Sequence, residues 1–322
     1  MSGESEKARP APAAADEGDS PSGFAFALGA YLLWGILPLY MKAVAHIPPV
    51  EVVAHRVLWS VPVAGAVLVA LGRTRELRAA ITDRAMLGMA AVTAALISVN
   101  WSIYVWSIAN DRALDAALAY YVNPLFSVFL GAVFLRERLS ALQWAAIALA
   151  AAAVGVITWH AGQLPLAAIG IILSWGLYAF FKRKLAIGPN QGFLLEVLIL
   201  SPAALAYILY LARNGAGHFL AGNARDDALL LAAGVVTAVP LMLYVNGARR
   251  LRLTTIAMLQ YLTPTMIFLI AVLVFGEPVD PGRAIAFPMI WAALVLFTIA
   301  LVRQARERGR ARRAAAAAAP PR

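Results

Sequence analysis

The second half of this chain repeats the first half about 140 residues later. Each half carries five long apolar segments, and an odd number of membrane spans per repeat places the two copies in opposite orientations. Inverted repeats of this kind are typical of alternating-access carriers, so the repeat predicts a membrane transporter. Six residues recur at this offset: Pro49 and Pro189, Pro62 and Pro202, Tyr104 and Tyr244, Tyr121 and Tyr261, Pro124 and Pro264, Glu137 and Glu277.

Composition places the chain in a membrane. Hydrophobic residues make up 62% of the sequence and charged residues 14%, whereas soluble domains carry about 25% charged residues. The apolar segments are long enough to cross a bilayer as helices, which need roughly 20 residues each. The sequence therefore predicts an all-α integral membrane protein with ten transmembrane helices. We expect spans at 23–44, 51–71, 85–108, 113–135, 141–159, 165–185, 191–212, 228–249, 254–275 and 282–302.

Four regions follow from these spans. Two five-span repeats are expected at 23–162 and 163–302. They lie between a disordered tail, residues 1–22, and a basic tail, residues 303–322. Most of the 27 Lys and Arg residues fall on one side if the N-terminus is cytoplasmic. This bias predicts that both termini are cytoplasmic. The longest loop, about 213–227, then lies outside and carries no motif.

Polar side chains near the middle of the membrane are the first candidates for a substrate site. In span three, Asn100 and Tyr104 are four residues apart and share one helix face. Such groups must face protein or water, because hydrocarbon leaves their hydrogen bonds unmade. They either line a cavity or join helices by hydrogen bonds. The substrate-binding candidates in spans three, four and nine are Asn100, Tyr104, Tyr120, Asn123, Gln260 and Tyr261.

Pro124 in span four and Pro264 in span nine occupy equivalent positions of the repeat. Proline removes one helical hydrogen bond and clashes with the preceding turn, so we expect a kink near the centre of each span. The two prolines are either hinges of the transport cycle or static kinks.

Two ionisable residues, Arg56 in span two and Glu196 in span seven, are also equivalent in the repeat. Inversion separates them by roughly 15 Å of depth, which argues against a direct ion pair. Arg56 is predicted to bind an anionic group of the substrate, or to pair with Glu51 or Asp111. The alternative is that its side chain extends to the membrane interface. Glu196 is a candidate for proton coupling, because desolvation favours its protonated form, and the alternative is a structural hydrogen bond.

The sequence carries no enzyme motif. It has no phosphate-binding loop, no dinucleotide fingerprint and no zinc-protease motif, and its four histidines are scattered. It has no cysteine, which excludes disulfides and thiol catalysis. We therefore expect no catalytic residue, no metal and no cofactor. The expected partners are a small-molecule substrate and the lipid bilayer, without nucleic acid, and monomer and homodimer are both open.

Several sequence motifs resemble the RarD branch of the EamA-type carriers, in the drug/metabolite transporter superfamily. The resemblance spans about 23–302 and implies two EamA repeats of five helices, a bacterial inner-membrane location and cytoplasmic termini. It also implies small-molecule export, without general catalytic or cofactor residues. The motifs are Tyr31–Pro38, His55–Ser60, Asn100–Trp101, Tyr121–Pro124, Leu135–Arg138, Arg250–Leu253 and Gln260–Tyr261 followed by Pro264.

These observations favour a secondary transporter that exports small amphipathic metabolites or drugs by alternating access. A carrier for uptake or facilitated diffusion is the alternative within transport, because gradients set the direction of movement. A membrane scaffold or sensor that transports nothing is the alternative from another class. A scaffold needs no polar cavity at the centre of the membrane, so solvent access at positions 120, 123 and 260 distinguishes it from a carrier.

Overall fold

The computed structural model describes residues 20–317 except 73, 135, 137, 184, 186 and 249, and the regular structure of this part is helical. Nine of its segments are long and apolar enough to cross a membrane, and the shorter apolar helix Leu166–Lys182 makes ten. The predicted fold class is confirmed. The elements are α1 Pro21–Ala43, α2 Pro49–Ala70, α3 Thr74–Thr82, α4 Arg84–Ala109, α5 Ala113–Phe134, α6 Ala141–Ala161, α7 Leu166–Lys182, α8 Pro189–Arg213, α9 Ala224–Ala248, α10 Leu253–Leu259, α11 Leu262–Leu269, a π-helical turn Ile270–Val274, and α12 Pro281–Ala317.

Helix boundaries follow from local sequence. Pro49 and Pro189 are the first residues of α2 and α8, where the missing N–H costs nothing and the fixed φ favours a helix. Ser140 and Gln143 form a reciprocal capping box at the start of α6. Gly162 ends α6 with a φ of 65°, a left-handed conformation that suits glycine.

The structure differs from the expected boundaries at three places. Helix α1 begins at Pro21, inside the predicted tail 1–22, of which residues 1–19 lie outside the described part. Helix α12 continues to Ala317, so the backbone of the basic tail is helical as far as that residue. The short helix α3 was not predicted, because nine polar and apolar residues are too few to register as a span.

The two halves pack against each other in duplicated pairs. Helix α1 contacts α9 and α11 of the other half, and its counterpart α7 contacts α4 and α5 in the same way. Helix α2 packs on its counterpart α8, and α6 packs on α12. A Cβ atom at Gly35 would collide with Met266, and one at Gly176 would collide with Phe126. Because Phe126 and Met266 are equivalent in the repeat, the same close approach occurs twice.

We call the end of the bundle that holds Ser20, the first described residue, the proximal end, and the opposite end the distal end. At the proximal end, the Ser20 amide donates to the Arg250 carbonyl over 3.2 Å. The Gln304 amide donates to Gln143 there over 3.1 Å, and it joins α12 to α6. The distal end carries the loops that follow α1, α4 and α8 and the loop that precedes α12.

The fourth spans of the two halves differ. Helix α5 is continuous through Pro124. Span nine is interrupted at Gln260 and Tyr261 between α10 and α11, and it ends in the π-helical turn. Pro264 lies four residues after Gln260, so its ring removes the hydrogen bond that the Gln260 carbonyl would accept. A kink is expected at each proline: span nine is broken just before Pro264, whereas the helix assignment of α5 is uninterrupted at Pro124.

Candidate functional site

Arg56 lies between the two halves of the bundle. Its side chain belongs to α2 and is 3% exposed. Its Nε donates to the Thr237 hydroxyl of α9 over 3.0 Å. Its guanidinium carbon lies 4.7 Å from the ring centroid of Trp101 on α4. The Nη1 atom is buried and has no hydrogen-bond partner among the described residues.

The two carboxylates proposed as partners of Arg56 are bound to other residues. The prediction that Arg56 pairs with Glu51 or Asp111 is therefore wrong. Glu51 accepts from the His218 amide over 2.7 Å and contacts the ring Nδ1 of the same residue over 2.8 Å. Asp111 pairs with Lys42 over 2.5 Å, and its side chain is largely exposed. Within the described part of the chain, Arg56 forms no ion pair. Its burial also excludes an extended side chain that reaches the interface.

Two predicted tyrosines lie beside Arg56. Tyr104, Tyr120 and Tyr40 lie close enough to interact electrostatically with the guanidinium. Tyr104 is 2% exposed, and its hydroxyl has no described partner. The ring centroids of Tyr104 and Tyr120 are 5.8 Å apart, and Tyr120 contacts Trp175 of the second half at 6.4 Å. The structure therefore brings Arg56, Tyr104 and Tyr120 together.

The two predicted asparagines have different surroundings. The Asn100 amide donates to the Ile171 carbonyl over 3.2 Å and to the Ser174 hydroxyl over 3.0 Å, so it joins α4 to α7. This is the helix-joining alternative, although its Oδ1 atom keeps no partner among the described residues. Asn123 is 4% exposed, and neither of its amide atoms has a described partner. Asn123 is therefore an unsatisfied buried polar group one turn along α5 from Tyr120.

Gln260 and Tyr261 are not brought to Arg56 by any contact described for them. Both lie half-buried at the break in span nine. Tyr261 lines a groove together with Tyr121, Thr265, Trp291 and Leu294, on the side of the bundle formed by α5, α11 and α12. Repeat equivalence placed these residues with Tyr120 in the sequence, but Tyr261 lies beside Tyr121 in this groove instead.

Glu196 forms a compact polar cluster inside the second half. It is 1% exposed, accepts from the Lys182 ammonium over 2.6 Å and receives the Tyr178 hydroxyl over 3.3 Å. A carboxylate with two such donors is satisfied without Arg56. Both of its described donors belong to the second half, and neither is Arg56.

Polar contacts join the two halves at the distal end. The His46 ring contacts Asp226 over 3.0 Å, and Arg283 donates to Asp115 over 2.9 Å. With the His218–Glu51 pair, these contacts join the loops after α1 and α8 and the starts of α2, α5, α9 and α12. No group of three or more His, Asp or Glu side chains in the described ranges is arranged to hold a metal ion.

Glu277 adds a helix cap at the same end of the bundle. Its carboxylate accepts the backbone amides of Ala113 over 2.6 Å and Leu114 over 2.9 Å, at the start of α5. The preceding Gly276 has a φ of 69°, which turns the chain back onto α5. Burial raises the pKa of Glu277, against the opposing effect of the two amide hydrogen bonds. Glu137, its counterpart in the repeat, lies outside the described residues.

Sequence reasoning missed several members of the site. Thr237 looks like an ordinary helical threonine, and the aromatic Trp101 like a packing residue. His218 and Phe219 lie in the loop to which no role was given. That loop folds over α2, where the Phe219 ring lies 4.9 Å from the ring of His55. One signal was available for Thr237, since a hydroxyl group in an otherwise apolar span needs a partner.

Comparisons with known proteins agree with this architecture. The model of the EamA-like transporter family matches residues 21–159 and 164–307. An uncharacterized transporter of Vibrio cholerae is 41% identical over 88% of this chain and 94% of its own length. Protein RarD of Escherichia coli is 36% identical over 88% of this chain and 96% of its own.

Two further comparisons extend the match. Protein RarD of Streptomyces exfoliatus is 38% identical over 94% of this chain and 95% of its own length. One solved crystal structure has the same fold, with a TM-score of 0.57 at 20% identity over 86% of this chain and 98% of that chain. The family match covers both five-helix halves, and the relatives align over most of their length. The chain is a multi-pass membrane protein that belongs to the EamA-like transporter family.

Proposed function

We propose that this protein is a secondary carrier of the bacterial inner membrane that exports a small amphipathic molecule by alternating access. One observation carries the proposal: Arg56 lies buried where α2, α4 and α9 meet, with an unpaired Nη1 and no carboxylate partner among the described residues. An ionisable side chain inside a membrane protein is costly and is typically retained for a ligand or ion pathway. The duplicated packing of the halves supports the proposal, because inverted repeats are typical of carriers that alternate between two states.

In this proposal the proximal end faces the cytoplasm, together with both termini. The basic residues of the loops and tails favour this orientation. The distal end then faces outward and is closed in the state described. Because each distal pair joins one half to the other, the pairs must separate before that end opens. Pro124 and Pro264 are the proposed hinges of this change.

The name of one relative favours a drug among the possible substrates. A protein from Pseudomonas aeruginosa, 31% identical over 86% of this chain, is called chloramphenicol-sensitive protein RarD. Chloramphenicol is therefore a reasonable probe, alongside small amphipathic metabolites. Glu196 is the proposed proton-coupling residue, and Lys182 is the group that must release it before it can take up a proton.

The chain contains no cysteine, so single cysteines can be introduced without removing native ones. We would place one at position 120, 123 or 260 and label it with a membrane-impermeant maleimide in cells and in inverted vesicles. A carrier predicts labelling of positions 120 and 123 from both sides. Position 153, where Ala153 is fully buried between helices, is the matched control and should stay unlabelled.

A double-cysteine variant tests whether the distal closure is a gate. Cysteines at positions 51 and 218 are joined by a short bifunctional reagent, and the labelling of position 120 is repeated. The cross-link should abolish labelling from outside and preserve it from the cytoplasm. A scaffold instead predicts no labelling of the central positions from either side. Flux of a radiolabelled probe in oriented vesicles then separates export from uptake.

A further inference from the structure

Some polar groups around Arg56 lack hydrogen-bond partners, as expected if a ligand completes their hydrogen bonds. The guanidinium is taken out of water, and Thr237 supplies an acceptor for its Nε alone. The indole of Trp101 faces the positive charge, which offsets only part of the desolvation cost. The Nη1 of Arg56 and the hydroxyl of Tyr104 remain buried without partners among the described residues. Buried polar groups in folded proteins are almost always hydrogen-bonded, so two unpaired donors at one place need an explanation.

The two unpaired groups share one chemistry, because each is a hydrogen-bond donor. Arg56 contributes a cationic N–H, and Tyr104, one of the tyrosines beside it, contributes a neutral O–H. A carboxylate has two acceptor oxygens and one negative charge, which matches one cation and one hydroxyl. A dianion would leave one of its charges without a counter-charge among the described residues.

Aromatic rings lie next to these two donors. The rings of Tyr104, Tyr120 and Trp175 form a connected series across α4, α5 and α7, and the Trp101 ring lies beside the Arg56 guanidinium. Aromatic walls favour a planar or bulky apolar body. A zwitterion is disfavoured, because its ammonium group would lie near the buried cation of Arg56. The acidic residues nearest in sequence to Arg56 and to Tyr120 are already paired. Glu51 is bound to His218, and Asp115 is bound to Arg283.

Resting on the proposed carrier function, we propose that the Arg56 site binds organic monocarboxylates with an apolar or aromatic body, and discriminates against their neutral amides and their amino-acid analogues. The carboxylate accepts hydrogen bonds from Arg56 Nη1 and the Tyr104 hydroxyl, and the apolar body lies against Tyr120 and Trp175.

Three probes of one size test, on the purified full-length protein, whether the site prefers a single negative charge. Hydrocinnamate carries the carboxylate, hydrocinnamide replaces it by an amide, and phenylalanine adds an ammonium group. Binding is followed by thermal unfolding in detergent, because a ligand of the native state raises the unfolding temperature. Tryptophan fluorescence is recorded in parallel, since Trp101 lies beside the guanidinium. Hydrocinnamate should bind about tenfold more tightly than the other two, since a hydrogen bond to a charged group is involved.

Variants assign this preference to Arg56. Arg56→Gln should reduce the affinity for hydrocinnamate to that for hydrocinnamide, and Arg56→Lys should restore part of the difference. Arg213→Gln is the matched control, because it removes the same charge from an exposed helix end and should change no affinity. If Arg56→Gln fails to fold, the comparison of the three probes on the wild-type protein still decides whether the site prefers a single negative charge.

The results separate this inference from the carrier function. Equal binding of the acid and the amide, equal binding of phenylalanine, or no binding of any probe to the folded wild-type protein would overturn the carboxylate site. Two-sided labelling at positions 120 and 123 would then still support a carrier. Tight, Arg56-dependent binding of hydrocinnamate without two-sided labelling would leave the site intact and refute alternating access.

Discussion

The cap that Glu277 places on α5 supports a quantitative prediction. Replacing Glu277 by alanine leaves the Ala113 and Leu114 amides without an acceptor, and both residues are fully buried. A buried donor that loses its partner costs about 1–3 kcal/mol, so the two together should cost about 4 kcal/mol. The cap also places negative charge at the positive end of a helix, and its loss acts in the same direction. The Glu277→Gln variant retains one acceptor oxygen, so it should cost roughly half as much.

The assay is unfolding of the purified protein in mixed micelles titrated with SDS, followed by helical circular dichroism. Glu307→Ala is the matched control, because it removes an exposed carboxylate from α12 and should change stability by less than about 0.5 kcal/mol. A Glu277→Ala variant as stable as this control would refute the argument, since the two amides would then have found water or another acceptor.

Three further predictions concern packing, the site and pH. Gly247→Ala should destabilise the protein by about 1–3 kcal/mol in the same titration, because the new Cβ would lie 2.6 Å from the Ala27 nitrogen and force α1 away from α9. Thr237→Val should cost about 1–3 kcal/mol by leaving Arg56 Nε unpaired, again by SDS titration. Because burial raises the pKa of Glu277, the stability from this carboxyl is complete at low pH and decreases as pH rises through that pKa. The unfolding temperature of wild type relative to Glu277→Gln should therefore increase on acidification from neutral pH.

Controls isolate each effect. Gly155→Ala lies at a glycine with open space around it, and should be neutral or stabilising by up to about 1 kcal/mol through helix propensity. A loss of stability there would show that any added methyl group harms the bundle. Thr158→Val removes a hydroxyl that bonds only its own helix, to the Val154 carbonyl. It should cost less than Thr237→Val, and equal costs would contradict a specific role for the Thr237–Arg56 bond.

The sequence was sufficient for the helices and insufficient for their contacts. Apolar length and turn residues locate most spans to within a few residues, because each span must satisfy its own backbone in lipid. The side-chain partner of Arg56 was not predictable in this way. Glu51 and Asp111 were chosen because they are expected near the same end of the bundle and are opposite in charge, whereas the observed partner, Thr237, lies on a helix of the other half.

Repeat symmetry was informative about the backbone and misleading about the site. It correctly paired Arg56 with Glu196 as equivalent positions, but the two have opposite surroundings: the arginine has an unpaired nitrogen among the described residues and the glutamate has two donors. Repeat symmetry also grouped Gln260 with Tyr120 as substrate-binding residues, but no described contact brings Gln260 to Arg56. Inversion places equivalent residues at mirrored depths, so equivalence in sequence is not proximity in space.

The unequal fourth spans have a consequence for the proposed transport cycle. One half holds a continuous helix through Pro124, and the other holds a helix broken before Pro264. If the halves exchanged these backbone angles, Tyr120 and Tyr121 would become the break and span nine would straighten. The polar pairs now at the distal end would then have room to part, and the proximal loops would approach each other. Under the proposed alternating access, the internal duplication would encode both members of a pair of states, and the asymmetry between its copies would set which end of the bundle is open.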